Sequence, residues 1–286
     1  MSDKDVSISI IIPTYKNNAK LKRLLNSIGN CQYVEVIVVD DSIDCESFEL
    51  KNEFSNVKFI RNKNERGAGG SRNTGLTHVN TDYLMFADSD DVLSEDWHSV
   101  IVNSLKKESA EVYYFKPQSF MLNGSIGNRH LRYSSLVDDY YCKNDINSIR
   151  YRYYVPWSKV FRADFIKNIK VSFEEIMYSN DLLFSLKTGM KAKKVSVIKD
   201  TYYMVEQGDT SLTKTVTQES LLCRLAALER YNDVLRSEGL YEQQLMNLPY
   251  IIKLLKINPF LSFKLIIKTL KSKAPLLLDY RFRGIF

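Results

Sequence analysis

An α/β fold built on a mainly parallel sheet flanked by helices is the class this sequence predicts, and three observations predict it. Short apolar, β-rich runs recur through the first third of the chain, at Ser7–Ile12, Val34–Val39, Val57–Ile60, Tyr83–Phe86 and Glu111–Phe115. The stretches between them suit helices. The runs are continuously apolar rather than alternating, as in strands covered on both faces.

The elements follow in order. Ser7–Ile12 is expected to be a buried strand stopped by Pro13, because proline brings no N–H to the ladder. Asn17 and Asn18 suit a helix cap, and Leu21, Leu24, Leu25 and Ile28 then recur at helical spacing along one face. The next three runs predict strands two to four, with helical stretches near 46–54 and 71–79. Ser94-Glu-Asp-Trp97 looks like a cap opening another helix, and Glu111–Phe115 predicts a fifth strand.

After Lys116 the pattern loosens, and residues 117–150 show no clear period. Helix returns at Asn180–Lys191, where Leu183, Leu186 and Met190 share a face, and Lys194–Ile198 suits one more strand. From Gln218 helices take over: Leu221, Leu225, Leu228 and Leu235 line one, and Pro249 and Pro259 punctuate the rest. The expected division is an α/β unit over 1–214, with a nucleotide-binding-type half at 1–116 and a looser half at 117–214, followed by a helical extension over 215–286.

Composition narrows the class. A chain of 286 residues, 44% hydrophobic and 26% charged, is neither disordered nor collagen-like and can bury a sizeable core. No apolar run approaches the roughly 18 residues of a spanning helix, and the opening Met-Ser-Asp-Lys-Asp with the short Ile8–Ile12 run is not expected to be a secretory leader. Cys31, Cys45, Cys142 and Cys223 are scattered without a CxxC pair, the pattern of reduced thiols in a cytosolic protein. His78, His98 and His130 lack paired spacing, so any metal would need oxygen ligands.

The net charge of +6 is unevenly distributed. Eight basic residues stand against one acid between Asn247 and Phe286, while the remainder carries 32 basic and 33 acidic residues. That balance does not suit a nucleic-acid binder; it suits a basic tail acting on a surface. Lys264, Lys268 and Lys271 form one helical stripe beside Phe263, Ile266, Ile267 and Leu270, and Lys253, Lys256, Arg281 and Arg283 add charge. A basic amphipathic helix fits an anionic membrane surface; a helix packed on the α/β unit with solvated lysines is the alternative.

Ligands of open α/β sheets bind outside the carboxyl ends of the strands. Here those ends are Pro13-Thr14-Tyr15, Asp40-Asp41-Ser42 and Asp88-Ser89-Asp90-Asp91. Five carboxylates at one edge repel unless a cation or hydrogen-bond donors accompany them. Mg²⁺ or Mn²⁺, completed by substrate phosphates, would meet that need; any single Asp could equally make an Asx-turn or a cap. Between the clusters, Glu65-Arg66-Gly67-Ala68-Gly69-Gly70-Ser71-Arg72-Asn73 is either a phosphate-approaching loop or a plain glycine-rich turn.

In order along the chain, Ser9-Ile-Ile-Ile-Pro-Thr-Tyr15, Val36-Ile-Val-Val-Asp-Asp-Ser42, Gly70-Ser-Arg-Asn-Thr-Gly75 and Phe86-Ala-Asp-Ser-Asp-Asp91 resemble glycosyltransferase family 2. Trp157-Ser-Lys-Val-Phe161 and Asn180-Asp181-Leu-Leu-Phe184 continue the resemblance, which covers about residues 6–213. It implies a GT-A fold and metal-dependent, inverting transfer from a nucleotide-diphosphate sugar, a UDP-sugar being favoured, to a hydroxyl of a glycan or lipid-linked oligosaccharide. The product would be a bacterial surface polysaccharide such as capsule, O-antigen or lipopolysaccharide. The implied location is the cytoplasm, with a peripheral position on the inner membrane face if the tail binds lipid.

The resemblance also implies roles. Pro13, Thr14 and Tyr15 would line the nucleoside pocket, Asp41 would contact the base, and Arg72 and Asn73 fall on the donor side. Asp88 would lie at the ribose, and Asp90, last of the DxD motif, would bind Mn²⁺ or Mg²⁺. Asp181 would be the catalytic base, with Trp157, Lys159 and Asn180 toward the acceptor. Two departures stand out. Asn180 replaces the usual Glu of a Glu-Asp pair, removing a like charge that would raise the pKa of Asp181. Tyr203-Met-Val-Glu-Gln-Gly-Asp-Thr-Ser211 lacks the family's arginine, leaving a phosphate contact to Lys214 or another basic residue. A catalytically inactive binding or scaffold protein on this fold is the alternative reading. A sugar nucleotidyltransferase fits less well, since Ile12-Pro-Thr-Tyr-Lys16 offers no glycine loop after strand one.

Overall fold

The computed structural model of the chain describes residues 6–208 and 216–271. Its centre is a seven-stranded sheet with the order β3-β2-β1-β4-β8-β6-β9. The strands are β1 (Ile8–Thr14), β2 (Val34–Asp40), β3 (Val57–Arg61), β4 (Tyr83–Phe86), β6 (Val112–Phe115), β8 (Lys159–Arg162) and β9 (Val195–Ile198). Ile8, Ile10, Ile11 and Ile12 are wholly buried, as a central strand covered on both faces requires.

β1 does not stop before Pro13; it runs on to Thr14, with Pro13 opposite Val39 of β2. The missing N–H of Pro13 lies on the same edge as the Ile11 carbonyl, which accepts from Ala87 just as the β4 pairing ends. The ladder therefore loses no bond there. The expected first helix forms as α1 (Asn18–Ile28), capped by the Asn17 side chain, with Leu21, Leu24, Leu25 and Ile28 buried. Residues Glu46–Asn52 make a 3₁₀ rather than an α-helix, and α2 (Ala68–Leu76) begins three residues before the expected 71. Helix α3 (Trp97–Lys107) starts beyond Ser94, whose backbone oxygen, not its side chain, receives the Trp97 N–H.

Two features depart from a simple parallel sheet. β8 runs antiparallel to both of its neighbours, β4 and β6. A second, three-stranded sheet joins β5 (Val92–Leu93), β10 (Tyr203–Glu206) and β7 (Gln118–Phe120) beside the main one. The stretch without a period, 117–150, holds β7, α4 (Leu131–Lys143) and most of α5 (Ile146–Arg152). Helix α6 (Ala163–Ile169) follows β8, and α7 (Leu182–Lys191) leads to β9.

The α-helices described after residue 217 are α8 (Gln218–Ser237), α9 (Leu248–Leu255) and α10 (Pro259–Lys271), with a short 3₁₀ turn at Tyr241–Gln243. Leu182, Leu183 and Leu186 of α7 pack with Ala227, Leu228, Tyr231 and Leu235 of α8, joining the extension to the sheet-bearing part. α9 and α10 close a smaller cluster of Leu221, Leu225, Ile251 and Leu254, with Leu261, Leu265 and Ile266 against it. Lys214, Arg281, Arg283 and the side chains of Leu270 and Lys271 lie outside the described residues. No helix among the described residues is long and apolar enough to cross a membrane.

Candidate active site

Strand ends bring the acidic residues to one edge of the sheet, but each carboxylate has a different task. Asp40 is buried and accepts from the Ser42 N–H at 2.7 Å and the Ser47 N–H at 2.8 Å. Burial alone would lift its carboxyl; the Ser42 and Ser47 hydrogen bonds outweigh that and hold it below the usual range. Asp40 is thus an Asx-turn and cap. Asp41 reaches outward, accepting from Asn62 Nδ2 at 2.6 Å and from the Gly67 N–H at 2.9 Å, while its own N–H donates to the Thr14 carbonyl. It borders a cleft of about 210 Å³ lined also by Ser42, Arg61, Asn62, Asn64 and Arg66. Tyr15, half exposed, receives the Arg66 guanidinium at its hydroxyl and over its ring, whereas Pro13 and Thr14 are buried beneath.

The glycines between these clusters serve close packing. A Cβ on Gly69 would stand 2.2 Å from the Glu174 carbonyl oxygen, and one on Gly70 would stand 2.0 Å from that of Glu65. Gly69 thereby seats α2 against the 173–176 loop, and Gly70 seats it against the Asn64–Glu65 turn. Asn73 fastens the same contact, donating to the Phe173 carbonyl at 3.0 Å and to Glu175 while accepting the Phe173 N–H at 2.8 Å. Its side chain is committed to that loop.

Arg72 is the connection between the two halves of the site. Its buried guanidinium donates to Asp88 Oδ1 at 2.6 Å and to Asn180 Oδ1 at 2.9 Å, and it lies over the Phe173 ring. Asn180 in turn donates to the Ile176 carbonyl. Asp181, at the N-cap position of α7, makes no side-chain cap hydrogen bond. Burial, opposed by Arg72 and Lys159 and aided by Asp88, lifts its carboxyl to about 6.

The carboxylate oxygens of Asp88, Asp90 and Asp91 lie within 4.8 Å of one another. Asp91 is spoken for, accepting from the Tyr203 hydroxyl at 2.7 Å and from the Glu206 N–H at 2.8 Å. Burial first, then the charges of Asp90 and Asp88, push its carboxyl well up. Asp90 is raised less, by burial and then by Asp88. Asp90 and Asp88 are left facing the site, a donor set of hard oxygens suited to Mg²⁺ or Mn²⁺ shared with phosphate.

Residues 9–176 match the sequence profile of Glycosyl transferase family 2. The chain belongs to that family. TarS, the poly(ribitol-phosphate) beta-N-acetylglucosaminyltransferase of Staphylococcus aureus (strain MW2), is 24% identical over 241 residues, covering 79% of this chain and 41% of its own length. The poly(ribitol-phosphate) beta-glucosyltransferase of Bacillus spizizenii is 27% identical over 214 residues, covering 71% of this chain and 33% of its own. The chain therefore spans between a third and two fifths of these relatives. A crystal structure of S. aureus TarS 1–349 in complex with UDP-GlcNAc superposes with a TM-score of 0.64 at 20% identity, covering 91% of this chain and 75% of that one. The fold is GT-A.

Several expected positions in this family 2 site turn out to be interior. Trp157 is only 4% exposed and stacks flat on Tyr203, with ring centroids 5.5 Å apart. Lys159 is wholly buried, donates to the Tyr153 carbonyl and lies between the Tyr114 and Tyr153 rings; burial drives its pKa far down. Both residues line the back of the site rather than its open face.

Two residues of the site escaped the motifs. Tyr203 accepts the Asp88 N–H at 2.9 Å while donating to Asp91, locking the loop that carries the acidic cluster. Arg129 donates to the Glu206 carbonyl at 3.0 Å, and Glu206 is the residue whose N–H holds Asp91. Burial disfavours the Arg129 charge, but Asp91, Asp88 and Asp90 outweigh it and hold the guanidinium protonated. The clue for Tyr203 was its place at the head of the 203–211 stretch; Arg129 sits in a region with no periodic signal at all.

Proposed function

We propose that this chain is a metal-dependent inverting glycosyltransferase that moves a sugar from a UDP-sugar to a hydroxyl of a bacterial surface polymer or a lipid-linked glycan, in the cytoplasm. Family membership supports the reaction class, and the two named relatives, which act on poly(ribitol-phosphate), support a surface-polymer acceptor. TarS in complex with UDP-GlcNAc supports a UDP-linked donor. The observation that carries the reading is the Asp88–Arg72–Asn180 link, which ties the acidic cluster to the start of the helix bearing Asp181.

In this reading Asp181 takes the proton of the acceptor hydroxyl as that oxygen bonds to the anomeric carbon. The bond from that carbon to the donor phosphate breaks, and the diphosphate leaves with the electron pair. One displacement inverts the centre. A divalent cation at Asp90, with Asp88 beside it, would neutralise the departing diphosphate. We assign the nucleoside to the cleft beside Asp41 and Tyr15, with Pro13 and Thr14 forming its floor. Arg129 takes the phosphate contact that the missing lid arginine would have made, and Arg72 orients Asp88 and Asn180. Asn73, Trp157 and Lys159 act indirectly, through the walls they support.

Thermal shifts with UDP-GlcNAc and UDP-glucose, each with Mn²⁺ and with EDTA, test this reading. A ligand at 100 times its dissociation constant stabilises the fold by about 2.7 kcal/mol. Stabilisation that requires Mn²⁺ and disappears in Asp90→Ala is expected. A folded protein that responds to no nucleotide sugar would instead be an inactive scaffold.

A further inference from the structure

The last two helices carry an outward face that sugar transfer does not use. α10 turns Leu261, Ser262, Leu265, Ile266 and Thr269 inward. That leaves Phe260 87%, Phe263 65% and Ile267 43% exposed. At a helical period these three share one stripe, and exposed Lys264 and Lys268 run along one edge of it. α9 does the same on a smaller scale: Ile251 and Leu254 are buried, while Ile252, Leu255, Lys253 and Lys256 are exposed. A helix that packs on a protein normally turns its apolar stripe inward and its polar side out. α10 has apolar residues on both sides, with two phenylalanines and an isoleucine facing outward.

Charge says what such a face would meet. Between Asn247 and Lys271 the sequence holds no acidic residue, and the exposed lysines border the apolar stripe rather than standing opposite it. Large apolar side chains rimmed by cations of one sign complement an interface that is apolar below and anionic at its surface. We propose that α9 and α10 dock on an anionic lipid bilayer, with Phe260, Phe263 and Ile267 entering the acyl boundary and Lys253, Lys256, Lys264 and Lys268 meeting the headgroups. This proposal is independent of the sugar-transfer reading.

Co-sedimentation of the full chain with vesicles of phosphatidylcholine containing phosphatidylglycerol, against vesicles of phosphatidylcholine alone, tests it. Binding is expected only to the anionic vesicles and is expected to weaken with added salt. Each Lys→Gln change among the four should lower the partition coefficient about fivefold. The Phe260→Ser, Phe263→Ser double variant should lose binding while retaining its circular dichroism, since both side chains are exposed. Phe260→Trp should shift its emission to the blue on the anionic vesicles only. Full-length protein that stays in the supernatant with anionic vesicles would overturn the proposal. So would a concentration-dependent dimer abolished by the double variant, which would make the face a seat for a second copy.

Discussion

The Arg72 guanidinium donates to the side-chain oxygen of Asn180 at 2.9 Å, one residue ahead of Asp181. A glutamate at that position would pair with Arg72 as an ion; asparagine keeps the hydrogen bond and leaves the arginine's charge to Asp88 and Asp181. Arginine reaches the two acceptors from two different nitrogens of its planar fork, which the single nitrogen of lysine does not reproduce. Arg72→Lys should therefore cost about 1–3 kcal/mol by stranding one buried acceptor. It should also lower kcat more than it raises the donor KM; thermal unfolding and steady-state kinetics read the two effects.

Asp181 must be ionised to accept a proton, and its carboxyl is lifted to about 6. Activity should accordingly rise with pH through about 6 and level off above it. Burial sets this point first, and Arg72, Asp88 and Lys159 adjust it. Asp181→Asn should remove the pH step and lower kcat by about 10²–10⁴-fold, with donor affinity in a thermal-shift titration little changed. Wild-type turnover by Asp181→Asn would exclude Asp181 as the base.

The same carboxylate should be a burden on the fold. Its proton is held more tightly in the folded protein, so below about pH 4 it costs nothing. The penalty grows as the pH rises to about 6 and is constant beyond. Discounted for its partial exposure, Asp181→Asn should stabilise the protein by about 1–2 kcal/mol at pH 8 and hardly at all at pH 4. Denaturant titrations at the two pH values measure the difference.

Tyr203→Phe keeps the stack on Trp157 but strands the Asp88 N–H and Asp91 Oδ2, leaving Asp91 only the Glu206 N–H at its other oxygen. The loss should be about 1–3 kcal/mol, seen as a lower Tm at about 2–4 °C per kcal/mol for a chain of this size. Because Asp90 lies between the two stranded groups, nucleotide-sugar stabilisation should weaken in the same variant.

The donor side of the fold was legible because its strands are uninterrupted apolar runs and α1 repeats its leucines at helical spacing. β8 was not: it begins with Lys159, a buried lysine that periodicity assigns to the surface. The three-stranded sheet uses strands of two to four residues, too short to show alternation. α4 mixes Tyr133, Leu136 and Val137 with polar neighbours on a face that Trp157 and the Tyr153 and Tyr154 rings complete only in three dimensions. The acidic edge was visible as a cluster. What distinguished its members was less visible: Asp40 is tied up by its near neighbours Ser42 and Ser47, whereas Asp91 is held by Tyr203 and Glu206, more than a hundred residues away.

β8 also sets the order in which this chain can assemble. Among the described residues it is the only strand bonded to both β4 and β6, and it reaches Tyr83 and Leu84 from Arg162 and Phe161. A ribosome delivers the chain from its N-terminus, so β1 to β4 can pair early while β6 waits without a neighbour. Closure of the sheet must await residue 162, and β6 then joins through a strand synthesised after it. Such long-range pairing slows folding, and until it happens the open edge of β4 is where a nascent chain would be exposed to misassociation.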